Sequence, residues 1–186
     1  MIYDVIDNVL PEHMNKFIAN EVISTQRWRP AHAETQDVHQ NYDGGMILLS
    51  FPSPHDDPVL NKLNTLGEII CSGVFSAHKP KGTFIDIEID RFMYNYYTRS
   101  SKCGIHTDDT KTGQQPGQFL ASFIYSLNDN DGHNIVNGQK IESKAGRCII
   151  FSSSDYHSAE PPIEYPRRLT LNCAFKYSKY DADWAR

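Results

Sequence analysis

No apolar run in the 186-residue chain approaches the roughly 20 residues that a membrane-spanning helix requires. The opening MIYDVIDNVLPEH lacks the basic start and apolar stretch of a secretory signal, so a cytoplasmic location is expected, the host cytoplasm if the chain is viral. Cysteine is scarce and scattered: Cys71, Cys103, Cys148 and Cys173 form no C-x-x-C pair. That excludes a zinc knuckle and a dense disulfide framework, and points to reduced thiols. Cationic excess is missing too, with 18 Lys and Arg against 23 Asp and Glu and a net charge of −5. Nucleic-acid binding is therefore not expected, since it rests on neutralising phosphates. There are no internal repeats and no linker-like boundary, and the length suits one domain spanning residues 1–186.

What is present is an ordinary soluble composition, 39% hydrophobic and 22% charged. Ten Tyr and nine Phe lean it toward sheet. Pro11 begins a helical pattern in which Met14, Phe17, Ile18 and Val22 fall three and four apart. The stretch from Trp28 to Gly45 is polar and turn-rich, and MILLSF after it reads as a strand. Asp57-Pro58 announces a second helix, with Val59, Leu63, Leu66 and Ile70 as its apolar stripe. From Thr83 the pattern alternates, placing Ile85, Ile87, Ile89 and Met93 on one face. FLASFIYSLND, QKIESK, GRCIIFSSS and RRLTLNCAFKY come next as further strands. Helices first and strands later predict a mostly β domain with N-terminal helices packed outside a sandwich or barrel.

Two stretches pair histidine with acid. His55-Asp56-Asp57 has a structural explanation, with Asp57 capping the helix that starts at Pro58 and His55 in a Pro-bounded loop. His106-Thr107-Asp108 differs because the strands downstream of it carry matching chemistry. IIFSSSDYHSAEPP ends a buried-looking strand with His157, and RRLTLNCAF places Arg168, Thr170 and Asn172 on the face opposite Leu169, Leu171 and Cys173. A cation on the polar face of a core strand is costly to bury unless an anion meets it, so a bound anionic ligand fits Arg168. His106 and Asp108, two apart, point the same way from one strand end. With His157 they make two imidazoles and one carboxylate, the set that holds Fe(II) on one face and leaves positions open. A planar guanidinium suits a bidentate grip on a carboxylate.

These residues resemble the Fe(II)/2-oxoglutarate-dependent dioxygenases, most closely the small prolyl-hydroxylase-like branch with bacterial and phage members. The likeness runs from about residue 85 to 177 and takes in YNYYTRSSKCGIHTDD, where an Asn-x-Tyr precedes the first ligand, and KAGRCIIFSSSDYH before the second histidine. It implies a double-stranded β-helix (a jelly roll, cupin-like) over 83–177, supported by a helix-rich region over 1–80. It implies His106, Asp108 and His157 as iron ligands, Arg168 on the distal carboxylate of 2-oxoglutarate with Thr170 assisting, and Asn95 and Tyr97 lining the cosubstrate site. Fe(II), 2-oxoglutarate and O2 are the implied cofactors, with ascorbate as a reductant. The implied reaction decarboxylates 2-oxoglutarate to succinate and hydroxylates an unactivated C–H, most naturally of a prolyl residue in a peptide or protein. Asp108 as a carboxylate separates the pattern from halogenases, which carry a small residue there.

Two departures stand out. The family's Gly-Gly-Glu appears as DGHNIV, with His133 read as a loop histidine, and the doublet Arg167-Arg168 leaves the arginine open by one residue. Asp109 is an alternative to Asp108 in a shifted register. Tyr94 and Tyr96 compete with Tyr97, and Trp28 and Trp184 read as packing residues. Three other readings stay open: a dioxygenase acting on a free amino acid, a cupin-like metal protein without oxygen chemistry, and a non-catalytic binding module. Nucleic-acid demethylation is disfavoured, because no second arginine comes after Arg168 until Arg186.

Overall fold

The computed structural model describes residues 2–25, 27–30, 45–50, 57–78, 84–101, 103–108 and 118–179. His55, Asp109, Trp184 and most of the polar stretches 28–45 and 109–118 lie outside them. The elements in chain order are β1 (Ile2–Ile6), α1 (Glu12–Ser24), β2 (Arg29–Pro30), β3 (Gly45–Ser50), α2 (Pro58–His78), β4 (Phe84–Tyr97), β5 (Gln118–Ser126), β6 (His133–Val136), β7 (Gln139–Glu142), β8 (Cys148–Ser152), β9 (His157–Ala159) and β10 (Arg168–Lys179). A seven-stranded sheet runs β1-β8-β5-β10-β4-β3-β2, and a three-stranded sheet runs β7-β6-β9. All the pairings are antiparallel. The result is the expected mostly β jelly roll with its helices on the N-terminal side.

Both faces of the large sheet are covered, which is why β5 is buried without alternation over its last six residues. The outer face carries Phe92, Tyr94, Phe123, Cys148, Ile150, Leu169, Leu171 and Phe175 against Ile18, Val22, Leu63, Ile70 and Val74 of the two helices. The inner face carries a smaller cluster of Ile124, Val136, Ile141, Ile149 and Phe151, closed by the small sheet. Each fully buried aliphatic or aromatic side chain contributes about 1.5–3 kcal/mol, so the helix-covered face holds most of the stabilisation and frees the inner face for polar groups.

α2 begins as predicted. The Asp57 carboxylate accepts from the Val59 N–H at 2.8 Å and the Asp57 carbonyl from Asn61 N–H at 3.0 Å, with Pro58 in the first turn. Its packed stripe is Leu63, Leu66, Gly67, Ile70, Cys71 and Val74, whereas Val59 is 38% exposed. Gly67 lets the helix sit directly on β4: a Cβ there would come 2.3 Å from the Phe92 ring. In α1 the buried face is Asn15, Ile18 and Val22, and Phe17, expected on it, is 51% exposed. Asn15 takes the place because it solves a polar problem: its Nδ2 donates to the Leu127 carbonyl and its Oδ1 accepts from the Tyr125 hydroxyl, both at 2.8 Å.

The alternation read through β4 is broken by a bulge. Ala174 pairs with Arg91 and Phe175 with Ile89, so one β4 residue is skipped and the phase inverts. Ile87 and Ile89 therefore share the outer face with Phe92, Tyr94 and Tyr96. Met93, expected with them, faces inward, as do Asn95 and Tyr97. Trp28 packs on Tyr96 with ring centroids 5.5 Å apart and planes tilted by 44°, and the Tyr94 hydroxyl donates to the Leu63 carbonyl at 2.9 Å. Cys71, Cys148 and Cys173 are buried free thiols and Cys103 is partly buried. Among the described residues no helix is long and apolar enough to cross a membrane.

Candidate metal centre

The chain leaves β4 through a turn in which Ser101 N–H donates to the Thr98 carbonyl at 3.1 Å and Thr98 N–H to the Ser101 hydroxyl at 2.8 Å. It then runs alongside β9. His106 and His157 exchange two backbone hydrogen bonds, at 3.0 and 2.8 Å, which sets their side chains on one face. Two residues on, Asp108 N–H donates to the Ser153 carbonyl at 2.9 Å. Strand pairing thus gathers residues about fifty positions apart in the sequence.

Their ligand-type atoms lie within 4.8 Å of one another. His106 Nε2 is 3.9 Å from one Asp108 oxygen and His157 Nε2 is 3.5 Å from the other. Each imidazole is oriented by the backbone: Nδ1 of His106 meets the Gly104 carbonyl at 2.9 Å, and Nδ1 of His157 the Asp155 carbonyl at 3.1 Å. A carbonyl can only accept, so both Nδ1 atoms carry hydrogen, which leaves Nε2 of each ring as the nitrogen that can face a metal. His157 Nε2 is buried with no hydrogen-bond partner among the described residues. An orphaned buried nitrogen beside a carboxylate is a cost that a cation would remove. Ligands at about 2.0–2.2 Å from one ion need only a small contraction of this group.

The two histidines titrate in opposite directions. Burial holds His157 below the usual imidazole value, against the pull of Asp108. His106 is pushed up to about 9, first by the Cys103 sulfur accepting from the ring and then by the Gly104 carbonyl and Asp108, against burial. Side-chain exposure falls from 41% at His106 through 21% at Asp108 to 2% at His157, so the group has a floor and a mouth. The Phe151 ring packs 4.8 Å from His157 at the floor.

Further along the inner face, register places Arg168 opposite Tyr97 and Thr170 opposite Asn95. Arg168 is 1% exposed, with its guanidinium carbon 5.1 Å from the centre of the Tyr97 ring. Its Nη1 donates to the Glu160 carbonyl at 3.0 Å and its Nη2 to Asn134 Oδ1. Arg167, one residue earlier, is only partly buried. Thr170 is buried and donates to Asn172 Oδ1 at 3.1 Å. Asn95 Nδ2 is buried with no hydrogen-bond partner among the described residues. Burial raises the Tyr97 phenol well above its usual value, so it stays protonated.

Residues 92–176 match the model of the 2OG-Fe(II) oxygenase superfamily. This stretch, which carries His106, Asp108, His157 and Arg168, resembles that superfamily. No curated protein matches it by sequence. Its fold is similar to that of a prolyl-4-hydroxylase from Pseudomonas putida, at 13% identity over 95% of this chain and 92% of the other, with a TM-score of 0.59. A Trichoplax adhaerens prolyl hydroxylase in complex with a hypoxia inducible factor oxygen degradation domain peptide fragment gives 13% identity over 94% and 83%, with a TM-score of 0.60. The non-heme alpha-ketoglutarate-dependent carbocyclase SnoK of nogalamycin biosynthesis gives 13% identity over 98% and 85%, with a TM-score of 0.61. A match to that superfamily implies Fe(II), 2-oxoglutarate and O2, and the two imidazoles and carboxylate gathered here fit iron.

The structure turns Asn95, Tyr97, Arg168 and Thr170 to the inner face of the large sheet and gathers His106, Asp108 and His157 beside β9, and it adds one residue that sequence reasoning missed. Asn134 sits in the DGHNIV departure, beside the more conspicuous His133. His133 opens β6, with Nδ1 3.0 Å from the Glu160 carboxylate. The signal for Asn134 is the two-residue spacing to Val136, which puts both on the buried side of β6.

Proposed function

We propose that this chain is a single-domain Fe(II)- and 2-oxoglutarate-dependent oxygenase hydroxylating an unactivated C–H, with a prolyl residue of a peptide or protein as the favoured target. The observation that carries the reading is the pair of imidazoles whose Nδ1 atoms are held by backbone carbonyls while both Nε2 atoms turn to the Asp108 carboxylate. His106, Asp108 and His157 would hold the iron. When bound, Fe(II) with 2-oxoglutarate and O2 supplies the oxidising power, the keto acid leaving as succinate and CO2 while one oxygen atom goes to substrate.

The protein's own part is positioning. Arg168 offers a planar cation to the distal carboxylate of 2-oxoglutarate, Asn95 adds a neutral donor from the paired strand, and Thr170 would add a second once its hydroxyl turns from Asn172. Tyr97 supports the guanidinium from one side. Ile124, Ile149 and Phe151 keep water from the floor of the site. The more exposed His106 side is the mouth through which substrate approaches. The prolyl preference rests on the fold likeness to two prolyl hydroxylases, one carrying a peptide, and on the superfamily match.

The test is sequential. Anaerobic addition of Fe(II) and then 2-oxoglutarate should give a weak visible charge-transfer band, absent in His106→Ala and weakened in Arg168→Ala but not in Arg167→Ala. Admission of O2 with a prolyl peptide should then yield succinate and a peptide heavier by one oxygen atom. Metal binding without the band overturns the oxygenase reading in favour of a cupin-like metal protein. Turnover of free amino acids but not peptides overturns the substrate class alone.

A further inference from the structure

Three contacts orient the guanidinium of Arg168 here, and two of them belong to one corner of the small sheet. Asn134 is fully buried. Its Oδ1 accepts from Arg168 Nη2, while its Nδ2 lies 3.4 Å from the Ser143 hydroxyl. The second contact fixes which end of the amide faces the arginine. The other acceptor is the backbone carbonyl of Glu160, whose N–H donates to the His133 carbonyl at 2.8 Å. The corner is tight, since a Cβ on Gly132 would lie 2.5 Å from that same Glu160 oxygen. With the Tyr97 ring as the third point, two edge contacts and one face contact leave the guanidinium little freedom to rotate or tilt.

The two acceptors at this corner, Asn134 Oδ1 and the Glu160 carbonyl, are neutral oxygens. They orient the group without cancelling its charge. A carboxylate at position 134 would have nearly the same shape and accept the same hydrogen bond, but it would form an ion pair and compete with any carboxylate arriving from a ligand. We infer that Asn134 is a positioning residue whose neutral amide aims Arg168 at a second carboxylate, and that it thereby sets the preference for a 2-oxo dicarboxylate over a 2-oxo monocarboxylate. This role rests on the proposed role of Arg168, and makes the choice of amide over acid at 134 a specificity determinant.

The experiment compares binding of 2-oxoglutarate and of 2-oxobutyrate to the Mn(II)-loaded protein by calorimetry, in wild type and in Asn134→Asp, with melting temperature recorded for each. The aspartate variant should bind 2-oxoglutarate roughly tenfold to a hundredfold more weakly, the weight of one charge-assisted contact. Its affinity for 2-oxobutyrate should be unchanged and its melting temperature equal or higher, because the new ion pair strengthens the corner. A purely structural role for Asn134 would move both acids and the melting temperature together, and that result overturns the inference. So does an Asn134→Asp protein that binds 2-oxoglutarate like wild type. If wild type itself does not distinguish the two acids, the Arg168 assignment fails first and this inference falls with it.

Discussion

Arg168 and Tyr97 face each other across β10 and β4, the guanidinium carbon 5.1 Å from the ring centre and both side chains buried. A cation packed on an aromatic face in a water-poor site is worth about 0.5–2 kcal/mol. Tyr97→Leu should therefore weaken 2-oxoglutarate binding by roughly threefold to thirtyfold. Tyr97→Phe keeps the ring and should change it little. Calorimetric titration of the Mn(II)-loaded variants measures this, and equal losses in both would assign the effect to the hydroxyl instead.

The metal group yields a sharper expectation. Removing Asp108 takes away the one carboxylate that both imidazoles face. Asp108→Ala or His157→Ala should lower Fe(II) or Mn(II) affinity by at least about a hundredfold, since losing even an orienting partner costs 10–100-fold. Equilibrium dialysis under nitrogen reads this directly. Retention of stoichiometric metal in both variants would remove the site assignment.

Gly67 makes a prediction about the fold. A methyl there would enter the space of the Phe92 ring, 2.3 Å away. Gly67→Ala should cost about 1–3 kcal/mol, because overpacking outweighs the gain in helix propensity. Urea denaturation measures it, and an unchanged midpoint would mean that α2 has room to lift off β4.

Asn15 supports the outer core in a different way. Its amide satisfies the Leu127 carbonyl and the Tyr125 hydroxyl, both buried. Asn15→Ala strands both groups, at roughly 1–3 kcal/mol each. The loss should be substantially recovered in Asn15→Ala with Tyr125→Phe, which removes one orphan, and the double-mutant cycle is the measurement.

Asp131 governs the segment between His157 and Arg168. Its carboxylate accepts from Glu164 N–H at 2.7 Å and Ile163 N–H at 2.9 Å, and these bonds, Glu164 first, lower its pKa below the usual carboxylate value. A lowered folded pKa means the anchoring is present at neutral pH, above the unfolded Asp value of about 3.9. It is lost only as the pH falls through the lowered value. Amide hydrogen exchange at Ile163 and Glu164 should stay slow at neutral pH in wild type and become fast in Asp131→Ala. Fast exchange in wild type at neutral pH would contradict it.

The amino-acid sequence by itself indicated both helices, most of the strands, the helix start at Asp57-Pro58 and the three candidate metal ligands, but not the strands β1, β6 and β9. Those features are written in local chemistry: a cap, a proline, a two-residue spacing and a small set of ligand types. It also placed Arg168 rather than Arg167 on the polar side of its strand, because alternation along RRLTLNCAF is unbroken. What only the tertiary structure decided is where two registers meet. The bulge opposite Ala174 and Phe175 turns Met93, Asn95 and Tyr97 inward, and nothing in the β4 sequence marks the skipped residue, because a bulge belongs to a pair of strands. The exposure of Phe17 and the burial of Asn15 are set by Leu127 and Tyr125, more than a hundred residues away. Asn134 acquires its meaning in the same way, from a guanidinium thirty-four residues later that reaches it only after the small sheet has closed over the large one.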